Sequence, residues 1–131
     1  MLTAALVGLT VAILVTEIRR LFRGYRGVKP AEMVQLMTTD GAMVVDLSPS
    51  GDFEKGHIAG SRNAQAAAFG PDHKLVANAR QIPVVLVCRN GTASETAAKA
   101  LKKAGFEKVH VLEGGIPAWQ QADLPLVKGR N

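Results

Sequence analysis

Residues 84–98 read Val84-Val85-Leu86-Val87-Cys88-Arg89-Asn90-Gly91-Thr92-Ala93-Ser94-Glu95-Thr96-Ala97-Ala98. Four apolar residues of strand-forming type run directly into a cysteine, a glycine-containing loop and a helix. That helix is expected over Ser94 to Ala104, with Ala97, Ala98, Leu101 and Ala104 on one face. Lys99, Lys102 and Lys103 load its far half, where the negative end of the helix dipole prefers cations, and Gly105 caps it. A strand with no polar alternation is buried on both faces, which is the habit of a parallel sheet covered by helices. In such sheets the chemistry gathers beyond the carboxyl ends of the strands. Cys88 stands at one such end.

Outward from this stretch the pattern repeats. Pro30–Met37 reads as a short helix, with proline pre-set for the first turn and Glu32 near the positive dipole end, and Asp40-Gly41 stops it. Ala42–Leu47 is a second apolar run of strand length, Ser48–Asp52 a turn, and Phe53–Ser61 contains Gly56-His57-Ile58-Ala59-Gly60. Ala64–Phe69 and Leu75–Arg80 read as short helical or irregular pieces. Val109–Leu112 is the next strand and Ile116–Ala122 the closing helix.

The loop itself carries the chemistry. A tight turn from strand to helix curls successive backbone N–H groups inward, a concavity that suits an anion. Gly91 permits the positive φ of such a curl, and Thr92 or Ser94 can cap the helix. A sulfur at its rim meets those N–H groups, the helix dipole and Arg89, all of which favour the thiolate. Spacing alone also allows a small buried apolar cysteine that merely closes a strand.

Composition narrows the rest. A chain of 131 residues is long enough for one domain and one core. One cysteine excludes a disulfide framework and Cys-rich zinc modules. His57, His73 and His110 lack partners at metal-ligand spacing, so neither metal nor cofactor is expected. The formal charge is +5, but residues 1–29 hold Arg19, Arg20, Arg23, Arg26 and Lys29 against Glu17 alone. The remaining residues are nearly balanced, and one Trp and one Tyr make no base-stacking platform, so nucleic acid is not an expected partner.

That basic cluster follows Leu2–Thr16, an apolar run of fifteen residues. At 1.5 Å per residue it spans roughly 22 Å, short of a hydrocarbon core of about 30 Å. Ile18, Leu21 and Phe22 extend it if Arg19 and Arg20 snorkel. No Lys or Arg precedes the run and no small-x-small site follows it, which counts against a cleaved signal peptide. A core helix with no polar face is hard to pack on so small a domain. The expectation is a transmembrane anchor with basic flank over 1–23, touching lipid through residues 2–23, a linker over 24–29, and a domain over 30–131. By the positive-inside rule the chain is a single-pass protein of the cell inner membrane with its domain in the cytoplasm.

Four stretches in order, Val45-Asp46-Leu47, Gly56–Gly60, Cys88–Ser94 and Gly114-Gly115-Ile116-Pro117-Ala118-Trp119, together with Leu124-Pro125-Leu126, resemble the motifs of the rhodanese (sulfurtransferase) family over roughly residues 28–127. The layout is similar to single-domain members with an N-terminal membrane anchor. The resemblance implies a rhodanese-like α/β fold: a five-stranded, mainly parallel sheet flanked by helices and preceded by one transmembrane helix. It implies a sulfurtransferase in which Cys88 is the catalytic nucleophile and carries sulfane sulfur as a persulfide. Arg89, Asn90, Gly91, Thr92, Ala93 and Ser94 would bind substrate. The implied partners are a sulfur donor, a thiol or cyanide acceptor, and a protein in the membrane.

Two positions depart from the family pattern. Ala93 stands where many active relatives have a second loop arginine, which weakens the case for a dianionic donor such as thiosulfate. Ser48 replaces an arginine whose role is expected to be structural. Asp46, His57 and Trp119 are read as scaffold. A cysteine phosphatase or arsenate reductase would need an arginine at Ser94 to clamp its oxyanion. The remaining alternative is a non-catalytic, membrane-tethered module that docks a protein.

Overall fold

The computed structural model describes residues 2–23, 25–89 and 92–129. Asn90 and Gly91, two of the expected substrate-binding residues, lie outside the described residues. Five strands, β1 (Arg26–Val28), β2 (Met43–Asp46), β3 (Arg62–Asn63), β4 (Val84–Val87) and β5 (Val109–Leu112), form one sheet in the order β1-β5-β4-β2-β3. Every pairing is parallel. The helices are α1 (Leu2–Arg23), α2 (Pro30–Thr39), α3 (Ser50–Lys55), α4 (Thr92–Lys103) and α5 (Gly115–Gln121).

The two-residue period of β4 sorts the core into two layers. Val84 and Leu86 face one layer, where they meet Ala98 and Leu101 of α4, while Val85 and Val87 face the other, with Met33 of α2 and Ile116 and Trp119 of α5. All four β4 side chains are fully buried, which explains a strand without a single polar residue. By the same parity Cys88 falls on the α4 side, and it packs in that layer.

Two parts of the sequence reading of the domain change. The expected linker over 24–29 contains β1, which pairs with β5 through Arg26↔His110, Gly27↔Val111 and Val28↔Leu112. Glycine spacing suggested a tether, but an edge strand needs only three residues and one buried apolar side chain, here Val28. Part of the expected turn over 48–52 is instead the start of α3, launched by Pro49. The segments 64–69 and 75–80, expected as short helical or irregular pieces, are chains of turns: Ala68 donates to the Gln65 carbonyl, Val76 to His73, and Ala79 to Val76.

The expected transmembrane helix over 1–23 is not upheld. Among the described residues no helix is long and apolar enough to cross a membrane. α1 has 22 residues, but its apolar run ends at Thr16 and Glu17, Arg19, Arg20 and Arg23 occupy its last turns. Leu6, Val7, Leu9, Val11, Ile13, Leu14 and Val15 are 43–62% exposed, so this helix buries little of its apolar surface on the domain.

Candidate active site

β4 is the middle strand of five, and the chain leaves its carboxyl end at Cys88. The side chain of Cys88 is only 3% exposed. It forms part of the wall of a 340 Å³ pocket with Leu47, Ser48 and Pro49 after β2, Gln65, Ala66 and Ala67 after β3, and Arg89 and Ala93. Because β4, β2 and β3 are adjacent and parallel, the loops beyond their carboxyl ends converge, and this pocket is where they meet.

The backbone of Cys88 is fixed from the far side. Its carbonyl accepts a hydrogen bond from the Ile116 N–H at 3.2 Å, at the start of α5. Gly114 and Gly115 reach that position with φ of +75° and +60°, a pair of left-handed residues that glycine adopts without strain. A Cβ on Gly115 would collide with the Cys88 carbonyl oxygen, so this turn tolerates no larger residue at that point.

The loop between β2 and α3 is held by its own polar groups. The Ser48 N–H donates to Asp46 Oδ1 at 2.8 Å, and Asn63 Nδ2 donates to the carbonyls of Asp46 and Ser48 at 3.0 and 2.9 Å. Asp46 is 1% exposed and its second carboxylate oxygen has no hydrogen-bond partner among the described residues.

The expected loop residues divide. Cys88, Arg89 and Ala93 line the pocket. Ser94 is buried beside it, and its hydroxyl finds no hydrogen-bond partner among the described residues. Thr92 is the first residue of α4 and Ser94 the third, so both lie within the helix and neither is its N-cap. Arg89 is not aimed freely at the sulfur: its Nε lies 3.7 Å from Asp52 Oδ2, and an Nη2 N–H donates to the Asp52 carbonyl at 3.5 Å. Sequence reasoning missed Asp52 and the 65–67 wall. The carboxyl-end rule could have pointed to residues 47–49 and 64–67, but only once the strand order was known.

His57 is wholly buried and stacks on Phe53 with ring centroids 3.8 Å apart. Its Nδ1 lies 2.8 Å from the Phe53 carbonyl, and its backbone exchanges two hydrogen bonds with Val127. It staples the C-terminal segment and is absent from the pocket walls. Trp119 packs in the core and donates its indole N–H to the Pro125 carbonyl at 3.0 Å.

A larger cavity, of 520 Å³, lies at the opposite, amino end of the strands. Charged side chains ring it: Arg26, Lys102 and Lys108 against Asp40 and Glu107, with His110 between. Burial, and then the charge of Arg26, push the His110 pKa below its ordinary value of 6.5. The 340 Å³ pocket is smaller, yet of the two it is the one that holds the thiol.

A parallel five-stranded sheet with a cysteine at the carboxyl end of its central strand, followed by a short loop and a helix, defines a class of α/β domains built around a loop thiol. The chain belongs to the rhodanese-like domain family, whose profile matches residues 29–122. The uncharacterized protein YibN of Escherichia coli K12 is 36% identical over 130 residues, covering 98% of this chain and 91% of that protein. The thiosulfate sulfurtransferase GlpE of Pseudomonas aeruginosa is 36% identical over 92 residues, 68% of this chain and 79% of that one. A rhodanese-related protein from Thermoplasma volcanium superposes with a TM-score of 0.68 at 25% identity, over 80% of this chain and 100% of that chain.

Proposed function

We propose that this chain is a sulfurtransferase that carries sulfane sulfur as a Cys88 persulfide from a donor to a thiophilic acceptor. The observation that carries the reading is the placement of Cys88: at the end of the central strand, in the wall of the pocket where the loops after β2, β3 and β4 meet. Kinship with sulfurtransferases such as GlpE supports it.

The reaction divides into two displacements. The Cys88 thiolate attacks the outer sulfur of the donor, a new S–S bond forms on Cys88, and the donor's own S–S bond breaks with its electron pair leaving on the departing group (sulfite from thiosulfate, a thiolate from a persulfide). The acceptor, cyanide or a thiolate, then attacks the outer sulfur and the Cys88 thiolate leaves. No net oxidant or reductant is consumed. The chain has one cysteine, so the acceptor comes from outside it. The backbone of residues 89–94, including Asn90 and Gly91, is assigned to holding the anionic persulfide through its N–H groups.

Incubation with a sulfur donor and intact-mass spectrometry test this: one sulfur added to wild type and none to Cys88→Ser is the expected result. Equal mass gains in the two proteins, including none in either, would overturn it. They would favour the second reading, a docking module without turnover, toward which the burial of the thiol and the pairing of Arg89 with Asp52 point.

The location is also a proposal. The exposed apolar side chains of α1, and the basic cluster that follows them, support attachment to the cytoplasmic face of the inner membrane, where anionic headgroups attract Lys and Arg. The full chain is expected to co-sediment with phosphatidylglycerol vesicles, and the Leu9→Glu, Ile13→Glu double variant to stay in the supernatant. A double variant that still co-sediments would remove the role of α1.

A further inference from the structure

We propose that Asp52 sets donor selectivity: by holding Arg89, it leaves the pocket mouth without net positive charge and turns Cys88 toward singly charged donors with an apolar body, away from dianionic thiosulfate. The proposal rests on the sulfurtransferase reading and names the substrate class of the same site.

Three observations lead to it. Among the described residues Arg89 is the only charged side chain that lines the 340 Å³ pocket, whose other walls include Leu47, Pro49, Ala66, Ala67 and Ala93. Its guanidinium is engaged twice by one residue of α3, through the Asp52 carboxylate at 3.7 Å and the Asp52 carbonyl at 3.5 Å. Ala93 adds no second cation. A dianion entering this mouth therefore meets a dipole, not a positive charge. It must also shed water against apolar walls that return nothing for its hydration. A donor with one charge and an apolar group loses less water and gains contact with the same walls.

The pair is half exposed, at 47% and 40%, so solvent screens it and it contributes little to folding. Its consequence is felt by an incoming ion. Asp52 touches no reacting atom; it is a positioning residue that acts through Arg89.

Thiosulfate and benzenethiosulfonate separate charge from chemistry. With either donor the Cys88 thiolate takes the outer sulfur and the S–S bond breaks, sulfite (two charges) leaving in one case and benzenesulfinate (one charge) in the other. In the full-length Asp52→Asn variant, kcat/KM for thiosulfate is expected to rise about fivefold at low ionic strength, mainly through KM, and that for benzenethiosulfonate about twofold, because the gain in free energy scales with donor charge. Above ~0.1 M salt, where the Debye length falls to about 10 Å, both gains shrink. Sulfite, as a product inhibitor, binds more tightly to the variant. In Asp52→Asn, Arg89→Gln the gains disappear, since no cation is left to be freed.

An unchanged thiosulfate kcat/KM in Asp52→Asn overturns the proposal, as do equal changes for the two donors or a gain that survives loss of Arg89. These results leave the sulfurtransferase reading standing. A wild type that takes no sulfur from either donor and matches Cys88→Ser overturns that reading and the selectivity proposal together.

Discussion

The two ends of the sheet differ in the way a parallel α/β domain dictates. The amino end has the larger cavity, 520 Å³, and a mixed ring of charged side chains. The carboxyl end has 340 Å³, mostly apolar walls and one thiol. Volume and charge point to the first; chemistry points to the second. At the carboxyl ends the loops following three adjacent strands converge on one residue, Cys88, and the turn before α5 grips its carbonyl from behind. At the amino end, Arg26 and His110 are paired positions on the neighbouring strands β1 and β5, and the cavity they line holds no thiol. A cavity with charged walls is a consequence of where long side chains snorkel; a site needs a reactive atom held by the backbone.

Exchanging one atom at the carboxyl end tests this contrast most severely. Cys88→Ser removes the sulfur nucleophile, and sulfur transfer from any donor is expected to fall about a thousandfold or more, well beyond the loss of about 1–3 kcal/mol in stability that a buried hydroxyl without a partner brings. His110→Gln at the amino end is expected to leave kcat/KM within about twofold at pH 7.5, because no charge or contact of that cavity reaches the pocket. If the two variants lost activity alike, the division between the ends would fail.

Next in size is the backbone grip. Gly115→Ala places a methyl group against the Cys88 carbonyl at a φ of +60°. A residue forced into that region costs about 1–3 kcal/mol before the collision is counted. The expected loss is therefore about 3 kcal/mol in urea unfolding, with sulfur transfer reduced beyond the loss of folded protein because the strand-end residue must shift. Gly51→Ala is the control: it has open space around its Cβ, and it should cost under about 1 kcal/mol.

How much of this was legible follows from which forces are local. β4 and the residue at its end were readable because four buried aliphatics in a row have one interpretation in a chain with helices on either side. α4 was readable from the spacing of Ala97, Ala98 and Leu101. Gly114-Gly115 stood out as a motif, but its purpose, contact with the Cys88 carbonyl, depends on β5 lying beside β4, which no local pattern reveals. β1 was hidden for a related reason: three residues paired to β5 across more than eighty positions of sequence leave no periodicity to detect. Asp52 was hidden too, since a carboxylate in a short helix carries no mark of the arginine it will meet thirty-seven residues later. At α1 the sequence shows a strongly apolar run followed by Glu17 and Arg19, and among the described residues no helix is long and apolar enough to cross a membrane.

The smallest expected effect lies at the amino end and is one of pH. Burial and Arg26 lower the pKa of His110 in the folded chain below 6.5, with Lys102 acting in the same direction and Glu32 and Asp40 opposing. The unfolded chain therefore binds more protons near that pH than the folded one. Stability rises with pH through this window: the contribution is complete above about 6.5 and is lost as pH falls toward the folded pKa. The slope cannot exceed about 1.4 kcal/mol per pH unit, the value for one whole proton. His110→Gln removes the titrating group, so urea midpoints at pH 7.5 and 5.5 should lie closer together in the variant than in wild type. An unchanged gap would mean that the imidazole is as easily protonated in its cavity as in water, and that the charged ring at the amino end compensates for its burial.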